Sequence, residues 1–340
     1  MKVVEFHAKG PVPLCTMFLA DMGAEVVQVM RDEKGPRADP RWRYTDRAKS
    51  SLRLDLKDRS NADKALALIA SADVLVEGFR PGAMERLGLG PAECAALNAR
   101  VIYCRITGWG QTGPRSQLAG HDINYLAATG ALDAIGTADS GPVPPLNLLA
   151  DFAGGSLQAA YGICAALLER ERSGQGCVID VSMAEGVLSL MTSIFAIRAR
   201  GDWGGGRGRN FLDGGAPWYG VYETRDGRHL AVGAMEPQFR RAFFLALGLP
   251  AERAQDSEAP QNWQAIRQEV ATAIGQRTQA DWIRAFEGLD ACVTPVAHLD
   301  EALHDPALRA RGAFVEEAGH EGRPRPAPAP RLSRIPTSKP

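Results

Sequence analysis

Short apolar runs recur through the first third of the chain at residues 3–6 (VVEF), 25–29 (EVVQV), 74–76 (VLV) and 101–104 (VIYC). Stretches of helical length separate them. The segment 12–22 follows the Gly10-Pro11 turn and stops at Gly23, and another runs from a cap at Ser60 to about residue 70. Strands that are continuously apolar and alternate with helices need cover on both faces, which predicts a parallel, doubly wound α/β sheet. That pattern constrains the fold more than any single residue does, and by itself says nothing of function.

The pattern changes at a glycine-rich stretch, 201–209 (GDWGGGRGR), read as a hinge. Beyond it, strand-like segments at 218–223 and 229–232 flank Arg225-Asp226-Gly227-Arg228, whose Asp-Gly pair signals a hairpin. Helical patterns follow at 237–247 and 261–289. The expected organisation is a large α/β domain at 1–185 rejoined by 311–340, a linker helix and hinge at 186–213, and a small α+β domain at 214–310. The proline- and arginine-rich tail, 324–340, is expected to run extended.

A net charge of -1 gives no basic field for nucleic acid, and the longest apolar stretch, near 187–197, is too short to span a bilayer. Neither a nucleic-acid nor a membrane partner is expected. The six cysteines are scattered without a CxxC and the six histidines lack HxH or HxxxH spacing. Reduced thiols, no metal site and a cytoplasmic setting without a secretory leader are therefore expected. The chain has no GxxxxGK[ST], and neither a bound dinucleotide nor a nucleoside triphosphate is expected.

Three polar residues interrupt apolar or small-residue surroundings: His121 in GHDINY, Asp151 between LNLLA and FAGGS, and Glu236 in GAMEP. Asp151 is explained equally by capping of the helix it opens, Glu236 by the dipole of the helix that follows, and His121 by an ordinary hydrogen-bonded role. Periodicity and spacing do not choose among these readings.

The blocks GPVP (10–13), EGFRPG (77–82), RLGLGP (86–91), TGWGQTGP (107–114), AGHDINYLA (119–127), PVPPLNLLADFAGGS (142–156), GGAPWY (214–219) and AVGAMEPQF (231–239) resemble the family III CoA-transferase superfamily, and within it the α-methylacyl-CoA racemases. The resemblance spans 3–334. It implies an interlocked homodimer acting on acyl-CoA thioesters with no cofactor, since CoA is part of the substrate. Asp151 matches the nucleophile of the transferases and also one base of the racemases. His121 matches the other base, and Glu236 its carboxylate partner, by resemblance supplied from the partner subunit.

Inverting a stereocentre beside a thioester calls for two groups on opposite faces, and His121 with Asp151 would exchange acid and base roles. Asp151 must then be protonatable near neutral pH, for which burial is the obvious lever. Glu236 would fix the His121 tautomer. The backbone N–H groups of Asp151 and Phe152 are candidate donors to the enolate, with Gly154 and Gly155 admitting the ligand closely. By resemblance, Arg31, Arg80, Arg86 and, more weakly, Lys57 lie near the CoA, whose phosphates suit arginine, while Tyr125 and Asn147 belong to the pocket. The tract 32–51 fits the family pattern loosely. Met183 and Met191 are either acyl-chain contacts or core residues. The competing readings are a CoA-transferase using Asp151 as nucleophile, and an inert CoA-binding scaffold.

Overall fold

The computed structural model describes residues 1–31, 44–316 and 324–333. By packing, the chain divides into two compact units, one of 1–129, 145–191 and the part from Arg309 on, the other of 130–144 and 192–308.

In chain order the elements are β1 (Lys2–Phe6), α1 (Pro11–Asp21), β2 (Glu25–Arg31), β3 (Lys49–Leu54), α2 (Arg59–Ile69), β4 (Val74–Glu77), α3 (Ala83–Arg86), α4 (Pro91–Leu97), β5 (Ile102–Thr107), α5 (Asp122–Thr129), α6 (Ala131–Ala134), a π-helix (Leu148–Leu157), α7 (Gln158–Ser173), β6 (Val178–Ser182), α8 (Met183–Leu190) and α9 (Thr192–Ala199). In the first unit, six strands form one sheet in the order β3-β2-β1-β4-β5-β6, every pair parallel. This order places the topological switch between β1 and β4, and the crevice beyond the carboxyl ends of those strands is where such sheets bind ligands.

The apolar runs form the core: Val4, Phe6, Val29, Leu75 and Tyr103 pack with Ile69, Met84 and Leu89. One polar cluster is built into it. Glu5 on β1, fully buried, accepts hydrogen bonds from Thr16 Oγ1 on α1 (2.6 Å), Gln28 Nε2 on β2 (2.8 Å) and Lys49 Nζ on β3 (2.9 Å). Lys49 also donates to the Pro13 carbonyl at 2.8 Å. This one carboxylate ties three strands to a helix.

Several sequence expectations change. Asp58, not Ser60, caps α2, its carboxylate accepting the Ser60 N–H at 2.9 Å. The apolar stretch near 187–197 is divided between two helices, α8, capped by Ser182 at the end of β6, and α9. The pattern at 261–289 divides into helices Trp263–Ile274 and Gln279–Phe286, the second opened by a Thr278–Asp281 capping box. Within the described part of the tail, Arg325–Pro326 pairs antiparallel with Phe314–Val315.

In the second unit, β7 (Tyr219–Glu223), β8 (His229–Gly233) and β9 (Val293–Pro295) form an antiparallel sheet. It packs a core of Trp218, Phe243, Phe244, Ile266 and Trp282. The segment 130–144, placed with the first domain from sequence, belongs here: Arg207 donates to Asp133 O (2.7 Å), Asp133 Oδ1 (3.0 Å) and Ser140 O (3.1 Å). Among the described residues no helix is long and apolar enough to cross a membrane.

Candidate active site

Asp151 lies on the π-helix, a rare conformation that is frequent at functional sites. The chain enters it through Leu146, a bulky residue at φ +60°. Asn147 occupies the cap position and makes no capping bond; its side chain hydrogen-bonds the Asp151 carboxylate instead. The N-cap reading of Asp151 is thereby corrected: Asp151 sits four residues past the cap, in the first turn.

The π-helix is held from both sides. Ser156 Oγ donates to the Pro11 carbonyl of α1 at 2.8 Å. A Cβ on Gly155 would stand 3.0 Å from Met183 Cγ and 3.3 Å from Pro11 Cβ. A Cβ on Gly154 would stand 3.0 Å from the Met183 carbonyl, and one on Gly186 only 2.0 Å from the Gly154 carbonyl. Gly154 and Gly155 therefore serve close packing against α1 and α8 rather than approach of a ligand. Met183, buried against Gly155, is a core residue. Gly10, at φ +77°, borders the carboxylate itself: a Cβ there would lie 3.5 Å from Asp151 Oδ2. Gly10 follows β1, so Asp151 stands beside the switch-point crevice.

A residue passed over in the sequence organises the helix start. Asp122, on α5 and 5% exposed, accepts the backbone N–H groups of Ala150 and Asp151 on its Oδ2, each at 2.8 Å. The Asp151 amide is thus already committed to a carboxylate, which corrects its assignment as a free donor for an enolate. Phe152, fifth after the cap, is where the i to i−5 ladder of a π-helix begins. The only sequence signal for Asp122 was an acid beside His121 at a helix start, a placement the helix dipole explains without function.

Electrostatics follow from this geometry. Burial, and next the Asp122 carboxylate, push the Asp151 carboxyl up to about 6, against the opposing pull of the Asn147 hydrogen bond and the His121 charge. His121 stands exposed immediately ahead of α5, its N–H donating to Asn124 Oδ1 (3.0 Å) and its carbonyl accepting the Asn124 N–H (2.8 Å). Its imidazole is therefore not engaged by that turn, and it lies close enough to act on Asp151. Tyr125 is buried in the wall, its hydroxyl donating to the Gly120 carbonyl at 2.6 Å and its ring edge-on to Trp109 at 4.9 Å.

The basic candidates share one placement. Arg31 ends β2, Lys57 follows β3, and Arg80 and Arg86 follow β4, all exposed and all at or beyond the carboxyl ends of parallel strands. Of the tract 32–51, residues 32–43 lie outside the described residues. Within the remainder, Arg47 ion-pairs with Asp21 and donates to the Pro326 carbonyl at 3.1 Å. Glu236 belongs to the second unit, exposed at the cap of helix Pro237–Ala246, and its side chain makes no capping bond. Its place at the N-cap agrees with the helix-dipole explanation of that carboxylate.

The chain is 46% identical over 336 residues to the α-methylacyl-CoA racemase of Mus musculus, covering 99% of this chain and 86% of that protein. It is 44% identical over 328 residues to the α-methylacyl-CoA racemase of Homo sapiens, covering 96% and 85%. A CaiB/BaiF family protein from Brucella suis has the same fold, with a TM-score of 0.82 at 24% identity, covering 98% of this chain and 92% of that one. The family model for CoA-transferase family III matches residues 1–339, and the chain belongs to that family.

Proposed function

We propose that this protein interconverts the two configurations of 2-methylacyl-CoA thioesters by removing the α-proton on one face and returning one on the other. The observation that carries the reading is a carboxyl held at about 6 beside a histidine at the switch-point crevice. Burial thus brings the Asp151 carboxyl toward neutrality, where it can either hold a proton for delivery or accept one. A racemase needs both, because each hand of substrate requires the opposite protonation state. Glu236, supplied by the partner chain, orients His121. Arg31, Arg80, Arg86 and Lys57 hold the CoA phosphates, and Asn147 and Tyr125 shape the pocket. CoA enters and leaves as part of the substrate, and the reaction needs no cofactor. Six free cysteines suit a reducing cytoplasm.

The homodimer is part of the same reading. Leu157, Tyr161 and Leu168 are 55%, 72% and 72% exposed, and their spacing of four and seven places them on one face of the π-helix and α7. An apolar stripe of this kind suits cover by a second copy. Static light scattering is expected to give twice the 36.5 kDa chain mass; a monomer at assay concentration would remove both the dimer and a partner-supplied Glu236.

The function is tested with a single enantiomer of a 2-methylacyl-CoA in deuterated water, with no acceptor acid present. Deuterium is expected at the α-carbon together with inversion, read by NMR and chiral chromatography. The competing reading rests on the same Asp151, acting as nucleophile. It would show no exchange until a carboxylic acid is added, and then transfer of CoA.

A further inference from the structure

We propose that Asp122 is a positioning residue for the proton transfer, a carboxylate supplied by α5 that both caps the helix carrying Asp151 and sets the basicity of the Asp151 carboxyl. The proposal deepens the racemase reading and rests on it. Helix starts leave amide donors unmet, and these are ordinarily satisfied by the cap residue of the same helix. Here Asn147 makes no capping bond, and Asp122 takes its place from another element, accepting two successive amides on one oxygen. Its other oxygen, Oδ1, is buried with no hydrogen-bond partner among the described residues. A carboxylate that served capping alone would need neither that burial nor that unmet oxygen, since an exposed cap does as well.

Among the described residues, the groups facing Asp151 are Asp122 at the start of α5, His121 just ahead of it, Asn147 at the cap, the backbone of Gly10 in the turn before α1, and nearby the Tyr125 hydroxyl, itself bound to Gly120. Of these only Asp122 adds a negative charge. The enolate state carries protons on both Asp151 and His121, so a fixed negative charge beside Asp151 favours it and speeds both directions alike.

The test compares wild type, Asp122→Asn and Asp122→Ala. Asn keeps an acceptor for the two amides and removes the charge. In Asp122→Asn the 13C carboxyl titration of Asp151, assigned by its loss in Asp151→Asn, is expected to fall by on the order of one pH unit. The acid limb of kcat/KM should move down with it, and kcat/KM at pH 7.5 should drop roughly three- to ten-fold. Asp122→Ala, losing the cap as well, should lose more at every pH. An Asp151 titration unchanged in a folded Asp122→Asn would reduce Asp122 to a structural cap and overturn the proposal. The titration needs no turnover, so it decides the role of Asp122 even where the wild type fails to exchange the α-proton, an outcome that would instead sink the racemase reading.

Discussion

Asp151→Ala is expected to abolish inversion while leaving one hand of substrate still exchanging its α-proton. The two-base arrangement requires this asymmetry. With Asp151 gone, His121 still removes the proton that faces it, exchanges it with solvent deuterium, and returns deuterium to the same face. That enantiomer becomes labelled with its configuration retained. The other, whose proton faces the missing carboxyl, does not exchange. His121→Ala should show the mirror image, with the labelled hand reversed. Loss of a positioned acid or base removes roughly 10²–10⁴ in rate, so inversion should fall by that factor in each variant. The measurement is α-deuteration by NMR set against chiral chromatography, for each enantiomer separately. If both variants lost exchange of both hands, or if His121→Ala still inverted substrate, the two residues would not be opposed bases. A transferase would behave differently again, losing CoA transfer with Asp151→Ala and only modestly with His121→Ala.

The pH dependence follows from the same pair. With Asp151 at about 6, acid enzyme holds protons on both groups and lacks a base, whereas alkaline enzyme lacks an acid. The profile should be bell-shaped, its limbs belonging to the pair rather than to either residue. As regards stability, the raised carboxyl contributes with the opposite sign to a salt-bridged one. Its cost is absent below the unfolded value near 4 and present above about 6.

How much of this was legible in the chain depended on which physical signal each part carries. The buried strands β1, β2, β4 and β5 declared themselves, because strands covered on both faces are continuously apolar. Lys49–Leu54 did not: at the sheet edge four of its six residues are exposed, and its sequence KSSLRL shows neither an apolar run nor alternation. β6 was hidden because the apolar residues of its end run on into α8. The π-helix had no signature, since its longer turn differs too little from an α-helix over ten residues. At the site, motifs exposed His121, Asp151 and Glu236, whose chemistry is rare in apolar surroundings. Asp122 stayed hidden because its role is to receive amides 28 and 29 residues away, a relation no local pattern encodes. The glycines of FAGGS were visible and misread: sequence shows that a side chain is absent, and only packing shows whether a ligand or a helix fills the space.

Lys49→Met should cost more stability than any surface substitution, although Lys49 stands at the start of a largely exposed strand. Its side chain is 1% exposed, with the ammonium bound to Glu5 and the Pro13 carbonyl. Burial alone would raise the Glu5 carboxyl; the His7 hydrogen bond, the Lys49 charge and the Gln28 and Thr16 hydrogen bonds together hold it instead at about 2. Removing Lys49 leaves a buried carboxylate with its main countercharge gone, a change that typically costs about 3–5 kcal/mol. For a unit of this size that is a fall in calorimetric midpoint on the order of 10 °C. The pH dependence provides an independent check. A depressed carboxyl stabilises above the unfolded value near 4.5, and that contribution is lost as pH falls toward 2. In Lys49→Met the loss should begin at higher pH, so the difference between variant and wild type should narrow on acidification. Combining Lys49→Met with Glu5→Leu removes the stranded charge, and the double variant should recover part of the lost midpoint. Were the double variant to melt lower than either single one, the cluster would be holding the strands by packing and hydrogen bonds to Thr16 and Gln28, with the ion pair contributing little.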